Sequence, residues 1–175
     1  MFTYNDLLND IKNSGIKSSD TLMIHSSYKS LGEVEGGGQT VINAFKEALK
    51  DGLLLFPTHT WGSIRESGQI MDKSQTNSNV GYLTNLAILD KDFVRSNHPT
   101  HSVCAYGANA LEYIKDDDYA KTPASPNGSF GKLINGGKIL FLGAPLSKNT
   151  FVHALEEIAL VPDRFTEEIF TFYTK

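Results

Sequence analysis

The sequence predicts a single α/β domain in which helices cover both faces of a central sheet. Two observations carry this. Short apolar runs alternate with helix-spaced apolar residues along most of the chain, and 175 residues, 40% of them hydrophobic, suffice for one compact core. A third places a site: polar clusters follow the apolar runs, as at the carboxyl ends of buried strands that open into a cleft.

Leu7, Leu8, Ile11 and Ile16 follow Thr3, a candidate N-cap, and predict a helix that stops at Gly15. Residues 21–24 form an apolar run that ends in His25-Ser26-Ser27 and predict a strand. Gly36-Gly37-Gly38 leads into Val41, Ala44, Phe45, Ala48 and Leu49, which share one helical face. Residues 53–56 predict the next strand, halted by Pro57. Residues 58–80 read as loop, and excursions of that length within a compact domain are often functional. Helices are expected over 83–89, 108–114 and 151–160, and strands over 103–106 and 139–142. Residues 116–118 and 122–131 read as turn-rich surface connections.

Charge and cysteine content narrow the class. Sixteen Lys and Arg against 20 Asp and Glu give a net charge of -4, and no basic block lies beside aromatic residues. Nucleic acid and anionic membrane are therefore poor partners, whereas a polycationic small molecule suits the balance. The single cysteine, Cys104, cannot form an internal disulfide and fits a reducing, cytoplasmic setting. Its strand-like neighbours mark it as a small buried hydrophobe rather than a nucleophile. The first six residues carry neither a basic leader nor an apolar run, and no stretch reaches the roughly 18 apolar residues of a spanning helix, so neither export nor a membrane anchor is expected.

Four of the five histidines stand beside Ser, Thr or Pro at expected element ends: His25, His59, His98 and His101. The fifth, His153, lies on a helix one turn from Glu156 and Glu157, with Asn149 or Thr150 as its cap. Spacing alone leaves open a surface histidine beside solvated glutamates. No H-E-x-x-H pair or Cys/His cluster at zinc spacing is present, so no metal site is expected and metal hydrolysis is a minor alternative. Ser26 and Ser27 beside His25 lack the G-x-S-x-G elbow of a serine hydrolase. The glycine run at a helix start could offer N–H groups to a phosphate, with Lys29 and Arg95 as neutralising cations, although it matches neither G-x-G-x-x-G nor the Walker pattern.

Taken in order, Met23-Ile24-His25-Ser26-Ser27 with Gly32 and Val34-Glu35-Gly36-Gly37, then Arg95-Ser96-Asn97-His98-Pro99, Ser125-Pro126, Gly143-Ala144-Pro145-Leu146 and residues 150–156 resemble the aminoglycoside 3-N-acetyltransferase family over nearly the whole chain. The resemblance implies a mixed central sheet of the antibiotic N-acetyltransferase type, distinct from the histone-type acetyltransferase fold. It implies an acyltransferase that moves an acetyl group from acetyl-CoA to the 3-amino group of an aminoglycoside or related amino sugar. His153 matches the family's catalytic histidine, and Glu156 would orient it or grip the cationic substrate. By the same resemblance His25, Ser26, Ser27, Lys29, Ser30, Leu31, Gly32, Val34, Gly36 and Gly37 line a coenzyme A channel, joined by Arg95, Ser96, His98, Pro99, Ser102 and Val103.

The chemistry expected of such a site follows. A protonated amine cannot attack a thioester, so a base titrating near the working pH must hold or remove a proton, a role suited to histidine. The tetrahedral intermediate needs hydrogen-bond donors, for which Ser26, Ser27 and Ser102 are candidates. Glu33, Glu35, Glu66, Glu156 and Glu157 are candidate carboxylates for a polyamine acceptor.

Two departures from the family pattern stand out. Thr84-Asn85 occupies the place where some members carry a glutamate after the Gly81-Tyr82-Leu83 turn. Members also usually continue past the Val161-Pro162 region with an extension that completes the acceptor wall, so residues 1–175 are expected to form a single acetyltransferase domain without it. The alternative is a shortened, non-catalytic relative that binds coenzyme A or an amino sugar.

Overall fold

Thr3 caps the first helix as its position predicts. Its hydroxyl accepts from the Asp6 backbone N–H while the Asp6 carboxylate accepts from the Thr3 N–H, a reciprocal capping box. The computed structural model describes residues 1–175. In chain order the elements are α1 (Tyr4–Asn13), β1 (Thr21–Ser26), α2 (Gly37–Ala48), β2 (Leu53–Pro57), β3 (Ile70–Met71), α3 (Tyr82–Leu89), β4 (Val94–Arg95), β5 (Val103–Tyr106), α4 (Ala110–Ile114), β6 (Lys138–Leu142), α5 (Phe151–Ile158) and β7 (Tyr173–Thr174). No helix is long and apolar enough to cross a membrane.

Five strands form one sheet in the order β4-β5-β2-β1-β6. β1 runs parallel to both β2 and β6, whereas β5 is antiparallel to β2 and to β4. The sheet is therefore mixed. Side chains alternate across it with the period of two that any strand imposes. Leu22, Ile24, Leu54, Phe56 and Cys104 join one core with residues of α1, α2 and α3. Met23, Leu53, Leu55, Val103 and Ala105 join a second with α4, Phe130, Leu133 and Ala154 of α5. Burial of Cys104 in the first core pushes its thiol up to about 12, so it stays protonated.

The glycine run at the start of α2 has a packing reason. Gly36 and Gly37 take φ of 73° and 72°, and a Cβ on Gly38 would sit 2.7 Å from both Leu86 and Tyr82. α3 can lie against α2 only because that position is bare. Lys46 of α2 ties the same corner, pairing with Asp90 at 2.6 Å and lying over the rings of Phe93 and Tyr106.

The structure corrects three sequence expectations. Residues 116–118 and 122–131 are not simply surface connections, because Asp117, Ala124, Ser129 and Phe130 are buried. The Asp117 carboxylate accepts from the Ser129 N–H at 2.6 Å and the Ser129 hydroxyl at 2.7 Å. The 58–80 excursion is not all loop and is pinned along its second half: β3 pairs in parallel with β7, while the Arg95 guanidinium donates to the carbonyls of Lys73 and Thr76. α5 ends at Ile158 rather than Leu160, whose φ of 51° has left the helix.

His98 braces the same region. Its Nδ1 accepts from the N–H groups of Thr100 and His101, so Nε2 carries the proton and faces the Thr122 carbonyl at 3.2 Å. Burial keeps this imidazole neutral to lower pH than a free histidine.

Asp117→Ala leaves the buried Ser129 N–H and hydroxyl without partners, and chemical denaturation should show a loss of about 2–4 kcal/mol. Because His98 titrates at lower pH folded than unfolded, the unfolded chain binds more protons below about pH 6.5. Stability should therefore fall as pH drops through that range. Urea titrations of His98→Asn between pH 7 and 5 should show a shallower fall, by up to about 1.4 kcal/mol per pH unit.

Candidate active site

The sheet brings the chemistry to one edge. β6, β1 and β2 are neighbours running the same way, so their carboxyl ends deliver Gly143-Ala144-Pro145, His25-Ser26-Ser27 and Pro57-Thr58-His59 to a common side. β5 runs the other way, so it starts there: Val103 pairs with Pro57, and His101 enters beside His59. The result is a cleft of 770 Å³ between these strand ends and the start of α5. Its walls include His25, Ser26, Ser27, His59, Trp61, Asn79, Gly81, His101, Lys148, Thr150 and His153.

His153 stands at the rim, with its side chain half exposed. Its Nδ1 lies 2.9 Å from Glu156 Oε2, one turn along α5. That hydrogen bond holds the Glu156 carboxyl below its usual value, so Glu156 is ionised at neutral pH and requires a donor. Nδ1–H supplies it. The lone pair of the neutral ring is then on Nε2, the tautomer a general base needs. Arg164 Nε also lies 2.9 Å from the same Glu156 Oε2, as an ion pair.

Thr150 stands at the N-cap of α5 without a side-chain cap bond, and it is the Asn149 Oδ1 that accepts from the Phe151 N–H at 3.2 Å. Thr150 instead meets His59 Nε2 at 3.2 Å. Glu157 turns away from His153 and accepts from the Thr122 hydroxyl.

Deeper in the cleft the imidazoles are kept uncharged. Burial pushes His25 down to about 4 and His101 down to about 3. His59 is also lowered, first by burial and then by the neighbouring histidines. His25 stacks on Phe141, and His59 stacks on Phe130 with its ring against that of His101. His25 Nε2, Ser26 Oγ and His59 Nδ1 are buried without a hydrogen-bond partner. Such atoms are costly unless something in the cleft completes them. The arrangement contains no group of three His, Cys, Asp or Glu side chains placed to hold a metal ion.

Among the residues assigned to coenzyme A by resemblance, His25, Ser26 and Ser27 line the cleft. Lys29, Ser30, Leu31 and Gly32 follow on a short 3-10 helix and its end beside the cleft; Ser30 bonds Ser27, and a Cβ on Gly143 would come 2.8 Å from Ser30. Val34 is core and bridges Phe2. Gly36 and Gly37 begin α2, whose N-terminus has no side-chain cap, with the Tyr28 hydroxyl 3.8 Å from where a Gly37 Cβ would stand.

The 95–103 segment is different. Arg95 is not free to neutralise a phosphate, because its guanidinium is spent on Ser102, Thr58, Lys73 and Thr76. Ser102 is fully buried among Thr58 and Arg95, which removes it as an oxyanion donor. Ser96 accepts from the Val103 N–H, the Pro99 carbonyl accepts from Thr60, His98 is tied as described, and Val103 is core. None of these lines the cleft. They build its floor from behind.

Asn85 bonds Ser78 and Gly81 and braces the loop rather than the base. Glu33, Glu35 and Glu66 do not line the cleft either. Sequence reasoning noticed the 58–60 and 98–102 histidine patches but gave no role to His59, His101 or Trp61. The available signal was position: each stands within a few residues of the end or start of an inner strand.

The description of the family model that matches residues 23–174 is "Aminoglycoside 3-N-acetyltransferase". Aminoglycoside N(3)-acetyltransferase III of Salmonella sp is 30% identical over 183 residues, covering 94% of this chain and 63% of its own length. Aminoglycoside N(3)-acetyltransferase VII of Streptomyces paromomycinus is 29% identical, covering 90% and 61%. The apoenzyme of aminoglycoside acetyltransferase AAC(3)-IVa superposes with a TM-score of 0.83 at 25% identity, covering 92% of this chain and 62% of that one. A histidine-to-alanine mutant of that enzyme has been solved in complex with a gentamicin, with the same TM-score and identity over 92% and 61% of the two chains. The structure described as "AAC-IIIb binary with CoASH" shares the fold at 22% identity and a TM-score of 0.76, over 89% of this chain and 65% of that one. The chain therefore spans about 63% of the length of the first of these curated relatives, and over that span it belongs to the aminoglycoside 3-N-acetyltransferase family.

Proposed function

We propose that this chain carries the centre that moves an acetyl group from acetyl-CoA to the 3-amino group of an aminoglycoside or related amino sugar, by direct attack within a ternary complex. One observation carries the reading: His153 stands at a 770 Å³ cleft with Nδ1 held by Glu156 at 2.9 Å. The membership of the family and the relatives' named activities support it.

In this reading His153 Nε2 takes the proton that the amine loses as its nitrogen bonds the thioester carbon. Glu156 offsets the charge the imidazole acquires. No enzyme nucleophile is needed, in keeping with a buried, protonated Cys104. The thioester arm would enter past Ser26 and Ser27, and the uncapped start of α2 would face phosphate oxygens. Trp61, half exposed at the cleft, offers an apolar ring face to a sugar. The cytoplasm, where acetyl-CoA is made and used, is the proposed location.

The second reading is a non-catalytic relative that holds coenzyme A or an amino sugar; what motivates it is that the cleft lining carries no carboxylate to hold a polycationic acceptor at the base. A polycation would find only Glu156, at the rim, in reach of the base.

Following thiol release with acetyl-CoA and a panel of aminoglycosides separates the two: turnover supports the first reading, and calorimetric binding without any acetylated product the second. Where turnover is seen, His153→Ala should lower kcat by about 10²- to 10⁴-fold, and full turnover in that variant removes the assigned base. Glu156→Gln, which removes the negative charge beside the base but keeps a hydrogen-bonding side chain, should lower kcat by about tenfold with little change in KM.

A further inference from the structure

The acetyl-transfer reading leaves a buried histidine of the same cleft without a role. We propose that His59 donates through Nδ1–H to the thioester carbonyl oxygen as it becomes the oxyanion, and so is a catalytic residue; the inference rests on the acetyl-transfer reading and deepens it.

The geometry carries it. His59 is 3% exposed, lines the cleft with His153, and its Nδ1 is buried with no partner. The ring cannot swing freely, since Phe130 stacks on one face and His101 meets it edge-on, with centroids 5.5 and 4.5 Å away. Nε2 lies 3.2 Å from the Thr150 hydroxyl. When that hydroxyl donates to Nε2, the ring proton resides on Nδ1, the ring nitrogen left without a partner. Thr150 stands three residues before His153 at the head of α5, so one turn of helix fixes the proposed donor relative to the base.

The serines considered from sequence fare differently. Ser102 is enclosed and bonded to Thr58 and Arg95, and Ser27 bonds Ser30. Ser26 Oγ is buried, unpartnered and in the cleft wall, so it is available as a second donor. The imidazoles facing His59 are His25, His98, His101 and His153, and burial together with those neighbours keeps it uncharged. A neutral imidazole still donates one hydrogen bond, and in a water-poor wall that bond strengthens as negative charge develops on the acceptor.

The step balances as follows. The amine nitrogen bonds the carbonyl carbon, and the carbonyl π pair moves onto oxygen, where His59 Nδ1–H and Ser26 Oγ–H hold it. His153 Nε2 takes the amine proton. Return of that pair breaks the carbon–sulfur bond, and the departing thiolate takes the proton from His153, leaving an amide and the coenzyme A thiol.

The test combines steady-state kinetics of wild type, His59→Phe and His59→Gln with nitrogen-15 NMR of the histidine rings in the wild-type protein. His59→Phe keeps the stacked ring but removes the N–H, and should lower kcat by about 10²- to 10³-fold with KM for acetyl-CoA within about twofold. His59→Gln, which restores an N–H donor, should recover part of that loss. NMR should show a neutral, Nδ1-protonated ring from pH 6 to 8. A protonated Nε2, or His59→Phe at full rate, overturns the inference and leaves the acetyl-transfer reading standing. A wild-type chain without turnover overturns that reading, and the inference with it.

Discussion

The site depends on one topological constraint: three adjacent strands, β6, β1 and β2, run parallel and release their chains at the same edge of the sheet. Had β2 run antiparallel to β1, His59 would have emerged on the far side, away from His25. The reversal at β5 completes the arrangement, because an antiparallel neighbour brings its beginning, and with it His101, to the edge where β2 ends. The main chain thus gathers residues from positions 25, 59, 101 and 143–153 before any side-chain interaction has a say.

Holding that edge together falls to buried polar groups behind the cleft. Arg95, Ser102 and Thr58 form one knot, His98 and Thr122 another, and Asp117 with Ser129 a third. Each satisfies donors and acceptors that would otherwise be stranded in a low-dielectric interior. The family resemblance placed the 95–103 block at the coenzyme A channel. The structure shows side chains that shape the cleft by fixing its backing loops, with no side chain of that block in the wall except His101.

The cleft divides its histidines by solvent access. His153 is half exposed and hydrogen-bonded to an ionised carboxylate. His25, His59 and His101 sit where desolvation excludes the cation, so they serve as neutral hydrogen-bonding groups or packing surfaces. Residue type is the same in all four; the surroundings decide the chemistry each can perform.

Local pattern by itself determined the α/β class, the α1 cap at Thr3, the apolar faces of α2, and strands β1, β2, β5 and β6, because propensity, periodicity and breakers such as Pro57 act within a few residues. It also put His153 and Glu156 one helical turn apart, close enough to bond. Only the tertiary structure decided the rest. The two-residue strands β3, β4 and β7 carry too few residues to show a period. The burial of Asp117 and Phe130 depends on what packs over them, and the fate of Arg95 on carbonyls at positions 58, 73 and 76. The meeting of His59 with Thr150, 91 residues apart in the chain, is likewise a product of strand order, which no local pattern encodes.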